Sequence, residues 1–256
     1  MSDEHMGLAQ WRQYPLWARG PARIVGDVPE GEIVLDEDRA ETYYMYSTTD
    51  ISFEFAFLSE GLNRQNTDSL LAFVRRYGLL WHGADELGTG KCRESLMDIW
   101  VESRILALLI LMYVNISDAV RTGATDALRE TMDELLVAFT AHPPMEDDKE
   151  LMDQASVYLA EAINTKLKDC RAGIASSTQL AVQPKGPDRF LLSDYTPDLL
   201  TAAYAHFRRT IVDRAPVREC PGCGRRFTPQ SGKQKYHDKG CASTARWRRW
   251  KEAKSE

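Results

Sequence analysis

The sequence predicts a mainly α chain of the α+β class, a helical bundle with a small β-hairpin followed by a small C-terminal module of different composition. Three observations lead there. Between residues 67 and 213, apolar residues recur at spacings of three and four along successive segments bounded by glycine, proline or capping residues. The run ILALLILMYV, Ile105 to Val114, is apolar on every side; at ten residues it has half of the roughly 20 needed to span a bilayer, so it reads as a buried central helix. Three of the five cysteines fall in the last 37 residues, where the sign of the charge also reverses.

Residues 1–30 are rich in turn formers and aromatics, including Trp11, Tyr14, Pro15 and Trp17, and follow neither period. They read as an extended N-terminal arm whose tryptophans dock elsewhere. The body is assigned to residues 31–213. Ile33 to Leu35 is a short strand candidate, while the alternation of Ile51, Phe53, Phe55 and Phe57 suits either a strand or the start of an aromatic-rich helix. Thr67 or Asp68 caps a helix lined by Leu70, Leu71, Phe73, Val74 and Tyr77 and stopped by Gly78. The central helix runs from about Arg93 to Arg121. A third helix opens at Thr125, carries Leu128, Met132, Leu135, Leu136 and Phe139, and ends before Pro143 and Pro144. A fourth spans about Asp147 to Arg171, burying Leu151, Ala155, Tyr158, Leu159, Ala162, Ile163 and Leu167 before Gly173 closes it. Thr178 to Val182 and Phe190 to Leu192 flank Pro184, Gly186 and Pro187 and read as a hairpin. Thr196 and Pro197 then serve as cap and first-turn proline of a helix to about Asp213.

The net charge of -6 conceals a division. Residues 214–256 hold twelve Lys and Arg against four acids, a formal +8, which leaves 20 bases and 34 acids, or -14, in residues 1–213. A basic tail on an acidic body calls for an anionic partner at the tail and repels that partner from the body. The first ten residues lack a basic start followed by an apolar run, and five cysteines in so long a chain do not make a disulfide framework. A cytoplasmic protein without a membrane span is the expectation.

Within the tail, Cys220 and Cys223 enclose Pro221 and Gly222 and precede Gly224, the composition of a tight knuckle that turns two thiolates toward one ion. His237 and Cys241 are four apart, so a helix beginning near Asp238 projects both from neighbouring turns of one side. Thirteen residues lie between the pairs, room for a short hairpin around Ser231 and Gly232. Three thiolates and an imidazole close a tetrahedral shell, so the expected cofactor is one structural Zn2+ in a small treble-clef-like finger, residues 214–256. Cys92 and Cys170 stand alone at helical positions and read as buried core cysteines.

Past Cys241, ASTARWRRWKEAK suits a helix. With Cys241 at zero and about 100° per residue, Ala245 and Arg248 fall near the metal side, while Trp247 and Trp250 fall near 240° and 180°. Arg246, Arg249 and Lys251 border the two rings. Such a face can stack on bases or sugars while its cations meet phosphates, and Arg225, Arg226, Lys233 and Lys235 on the knuckle and loop extend the basic surface. The competing reading packs Trp247 and Trp250 against the body or a second subunit, leaving the charges solvated.

The motifs CPGCGRRF, YHDKGC and ASTARWRRW together resemble the CGNR-type zinc fingers of bacteria, which follow a helical domain called the ABATE or stress-induced regulator domain. TDSLLAFVRRYGLL at 67–80, and the hairpin STQLAVQPKGPDRFLLSD followed by TPDLLTAAYAHFRRTI, look like that family's early helix and its approach to the finger. The chain departs from the family name, having Cys241, Ala242, Ser243 and Thr244 where Cys-Gly-Asn-Arg is expected, and His237 where a cysteine is usual. The resemblance implies a DNA-binding transcription regulator whose body senses a small-molecule effector, dimerises, or both.

The alternative function is a protein-docking or homodimerisation module with a purely structural zinc. An enzyme is not expected. His82, Asp85 and Glu86 read as a polar loop and His206 as a satisfied core histidine, since neither brings a nucleophile to a base. A metal-dependent nuclease would need a second, open metal site, which Asp238 alone does not make. An enclosed pocket among Phe73, Trp100, Tyr113 and Tyr158 would favour effector sensing by the body.

Overall fold

The computed structural model describes residues 16–44, 50–63, 67–82, 87–139, 147–168, 177–183, 186–195 and 198–255. The sequence assignments for Trp11, Asp85, Glu86, Pro143, Pro144, Cys170, Gly173, Thr196 and Pro197 lie outside them.

The chain is mainly helical with small antiparallel sheets. Short strands β1 (Leu16–Arg19), β2 (Ala22–Val25), β3 (Glu32–Leu35) and β4 (Glu41–Tyr44) open it. β1 pairs with β4; β2 and β3 form a hairpin that β5 (Arg93–Ser95) extends in the order β2-β3-β5. Of residues 16–30, Leu16–Arg19 and Ala22–Val25 are strands and residues 26–30 are turned. Trp17 and Ala18 are core residues, and the boundary drawn at residue 30 cuts the β2–β3 hairpin.

The alternating aromatic stretch folds as helix α1 (Ile51–Ala56), followed by α2 (Leu58–Asn63). Ile51, Ser52, Phe53, Phe55 and Ala56 are all buried, so an apolar run with alternation could not decide between helix and strand. α3 (Asp68–Tyr77) begins and ends where expected, with Thr67 at its N-cap position and Gly78 at its end. Gly78 has φ 95°, and a Cβ there would sit 2.0 Å from the Ala18 carbonyl oxygen of β1, so only glycine lets α3 turn back this close to the strand.

α4 (Leu96–Thr122) is the central helix, packed by α1 and α2 on one side and by α5 (Asp126–Phe139), α6 (Asp148–Lys168) and α7 (Leu199–Val212) on the others. By length and composition it is apolar enough to cross a bilayer; one side of its middle is buried in protein, with Leu106, Leu109, Ile110 and Met112 at 1% exposure or less, while Ile105, Ala107, Leu111, Tyr113 and Val114 are partly buried. It starts three residues later than the pattern suggested. Arg93 to Ser95 are claimed by β5, and the Ser95 hydroxyl caps the helix by accepting from the Asp98 N–H. The hairpin is present as β6 (Ser177–Gln183) and β7 (Gly186–Tyr195).

At α7 the observed cap is Asp198, whose carboxylate accepts from the Thr201 N–H at 2.6 Å. Tyr204 and Phe207 of this helix are fully buried. Tyr204 hydroxyl donates to the Glu102 carboxylate, which also pairs with Lys166 at 2.6 Å, tying α4, α6 and α7 together. After α7 the chain turns at Arg214, and the Ala215 carbonyl accepts from the Tyr113 hydroxyl of α4 at 3.2 Å. The segment leading to the last module is thereby fixed to the central helix.

Candidate metal centre and its basic helix

The last module consists of β8 (Arg218–Glu219), β9 (Arg226–Phe227) and α8 (Lys239–Ser255). The hairpin lies across the knuckle itself, with Arg218 opposite Phe227 and Glu219 opposite Arg226. This corrects the placement around Ser231 and Gly232, which form part of a turned loop. Within the knuckle, Cys220 N–H donates to the Arg225 carbonyl, and the Cys223 and Gly224 N–H groups donate back to the Cys220 carbonyl. Gly224 takes φ 77°, the left-handed conformation that completes the turn. Arg218 fastens the loop by donating to the Gly232 and Gln234 carbonyls at 3.0 and 2.9 Å.

These elements bring together Cys220, Cys223, His237 and Cys241, whose ligand atoms all lie within 4.8 Å of one another. Ordinary zinc bond lengths give tetrahedral edges of about 3.8 Å between sulfurs and about 3.6 Å between sulfur and nitrogen. The Cys223 Sγ to His237 Nδ1 distance of 3.4 Å is such an edge. Gly222 is pressed against the helix: a Cβ there would meet the Cys241 Cβ and carbonyl at 3.3 Å, so any larger residue would push the knuckle and α8 apart by a few tenths of an ångström. The residues fit a single metal ion held by all four side chains, and a soft sulfur-rich tetrahedral set makes zinc the plausible occupant.

The acid–base chemistry of the donors agrees. Burial raises the Cys220 thiol, but hydrogen bonds from the His237 side chain and backbone and from the Gly222 N–H outweigh it and bring it down to about 6. Burial and the neighbouring sulfurs of Cys223 and Cys220 push the Cys241 thiol up to about 12. Three thiolates this close repel one another, and a cation among them is what lets all three ionise. A metal bound there would supply fixed geometry to the knuckle and helix; the four-donor shell leaves no open position for substrate.

Asp238, absent from the expected site residues, holds the second pair in place. One carboxylate oxygen accepts from the Cys241 N–H at 2.6 Å as the N-cap of α8, and the other lies 2.7 Å from His237 Nε2. The imidazole is thus oriented with Nδ1 toward the sulfurs and Nε2 toward the carboxylate, the carboxylate–histidine arrangement common around metals. The Cys241 N–H holds the Asp238 carboxyl below the usual range, with His237 adding to the effect. The signal was available in the sequence as a capping aspartate three residues before a ligand cysteine.

α8 carries both tryptophans of the module. Trp247 and Trp250 are exposed, at 57% and 56%, on the side away from the ligands. Among the described residues, more than half of each side chain stays uncovered by the body. Lys251 lies over the Trp247 ring and Lys254 over the Trp250 ring, at 5.4 and 4.2 Å from the centroids. Arg246 and Arg249 are exposed beside them, Arg248 reaches the Gly222 carbonyl on the metal side, and Lys233 and Lys235 are exposed on the loop.

Arg225 and Arg226 are elsewhere. The Arg225 guanidinium lies over the Phe57 ring at 5.1 Å and 3.9 Å from the Glu54 carboxylate, which Arg76 also pairs with at 2.8 Å. Arg226 faces a cleft between finger and body. The seam also includes Asp50, whose carboxyl burial raises while the facing Thr228 N–H, His237, Arg76 and Arg225 oppose the rise. Asp50 is anchored in turn by His206. The His206 Nε2 accepts from the Asp50 N–H at 3.3 Å, so its Nδ1, 2.7 Å from the Ser52 hydroxyl, carries the proton. His206 is accordingly a partnered, neutral histidine. Burial, with Arg209, lowers its pKa to about 4.

Of the four aromatic residues named for an effector pocket, Trp100 and Tyr158 are partly buried against the core. Phe73 packs with Phe55 and Tyr77 in the core, and Tyr113 contacts Phe207 and the linker. No family model, curated protein or solved structure matches this chain.

Proposed function

We propose that the protein is a zinc-finger DNA-binding regulator in which a treble-clef-like finger of the CGNR type presents α8 to nucleic acid, on a body of the ABATE kind. The exposed Trp247 and Trp250 pair, bordered by basic side chains and turned away from the metal ligands, is the observation that carries this reading. Two indoles more than half exposed call for a partner that covers them. The formal +8 of residues 214–256 selects an anionic one, and three thiolates with one divalent zinc lower it only to +7.

Fluorescence anisotropy of the zinc-loaded full chain with a labelled DNA duplex, between about 50 and 200 mM salt, tests the proposal. Binding that weakens steeply with salt supports it, and no binding at the lowest salt rejects it. A second reading rests on the same exposure: the indoles pair two copies of the chain. Replacing both with alanine separates the two. Loss of a dimer with DNA binding intact makes the face a dimer contact, whereas loss of DNA binding at constant oligomeric state assigns it to nucleic acid.

A further inference from the structure

The finger and the body do not meet flush. Between them lies a cleft of about 360 Å³, within the size range of small-molecule sites. Its apolar floor comes from the body, with Phe53 and Phe57 at α1, and Leu108 and Leu111 on α4. Its opposite wall is the knuckle, with Glu219, Cys223, Gly224 and Arg226. The cleft therefore exists only when the finger is folded and seated.

The charges on its rim are unequal in what they have left to offer. Three carboxylates, Glu60, Glu134 and Glu219, and two guanidinium groups, Arg104 and Arg226, line it; Arg104 of α4 is paired with Glu134 of α5. Arg226 is different. Its side chain is 31% exposed, its nearest carboxylate is Glu219 at 4.0 Å, and it makes no hydrogen bond among the described residues. The Glu219 side chain is 64% exposed and can turn to water at little cost. A guanidinium with free donors above an aromatic and aliphatic floor is a site for a planar oxyanion on an apolar stem.

We propose that this cleft binds a small carboxylic acid with an apolar tail, its carboxylate forked by Arg226 and its tail on Phe53, Phe57, Leu108 and Leu111. The site is distinct from the tryptophan face and does not depend on the nucleic-acid reading. A ligand held there touches both body and knuckle, so it favours the seated finger by its affinity for that arrangement.

The test is calorimetric titration of the zinc-loaded full chain with hexanoate and phenylacetate, beside hexanamide and phenylacetamide as uncharged counterparts. Each acid is expected to bind about tenfold or more tightly than its amide, since a charge-assisted hydrogen bond separates them. Arg226→Gln, checked for full zinc content, should remove the acid–amide difference. Ala107→Phe, which fills the cleft from the body and changes no finger residue, should weaken every compound. Equal binding of acid and amide, binding by neither, or unchanged binding in Ala107→Phe each overturns the proposal.

Discussion

Asp238 is the most informative residue to perturb, because its two oxygens serve two separable purposes. One caps α8 through the Cys241 N–H, and the other orients the His237 ring. Removing a cap costs about 1 kcal/mol, and removing the partner of a metal-ligating histidine costs about 10- to 100-fold in metal affinity. Asp238→Ala loses both, so its zinc affinity should fall by about 2 to 4 kcal/mol equivalent, toward the lower end because the side chain is 54% exposed. Asp238→Asn retains an oxygen for the Cys241 N–H, but its amide donor then faces the His237 Nε2–H, so the cap survives and the histidine loses its acceptor. Competition with a chromophoric chelator measures zinc affinity, and far-ultraviolet circular dichroism measures α8. The expected order is native, then Asn, then Ala in affinity, with near-native helicity for Asn once zinc is saturating. Asp238→Ala within twofold of native affinity would refute the reasoning.

Chelating the metal should melt α8 while leaving the bundle helical, since residues 246–251 of α8 are solvent-exposed and an isolated helix of its 17 residues is marginal; a small loss of ellipticity with an unchanged thermal transition of the body is the expected readout. Replacing Arg246 and Arg249 with glutamine should reduce the slope of log affinity for DNA against log salt by about 1.8, at about 0.9 per phosphate contact. Arg225→Gln, being at the seam, should leave that slope unchanged and instead make the segment 213–218 more susceptible to limited proteolysis. The His206 pKa, lowered to about 4 from 6.5, makes the unfolded chain the better proton binder between those values. Stability should therefore fall by up to about 3 kcal/mol as pH drops from 6.5 to 4, and the fall should be smaller in His206→Gln, as followed by denaturant unfolding.

The features readable from sequence were those set over short distances. The ligand spacing, the Thr67 and Gly78 ends of α3 and the two faces of α8 depend on residues within a turn or two of one another. Features set by long-range pairing were not. β5 claimed the first three residues assigned to the central helix because β3, some 60 residues earlier, offers them a ladder. At α7 the Leu199 N–H, next to the Asp198 cap, is drawn to the Leu80 carbonyl more than 100 residues earlier. Arg225 and Arg226 looked interchangeable with the cations of α8 as members of one basic tail, and the structure separates them by what they face.

That separation changes the meaning of the charge asymmetry. The acidic body first reads as a surface that repels what the finger binds. Glu54 and Asp50 show a second effect, because body carboxylates also face Arg225 and seat the finger. The cations so engaged cannot also meet an incoming anion without loosening the seam. The charge left for a partner is concentrated on α8, where Arg246, Arg249, Lys251 and Lys254 are exposed around the two indoles and Lys239 is exposed at the helix start. An anion that binds the finger should therefore leave the seam closed, so occupancy of the helix face and occupancy of the cleft behind the knuckle are compatible in one molecule.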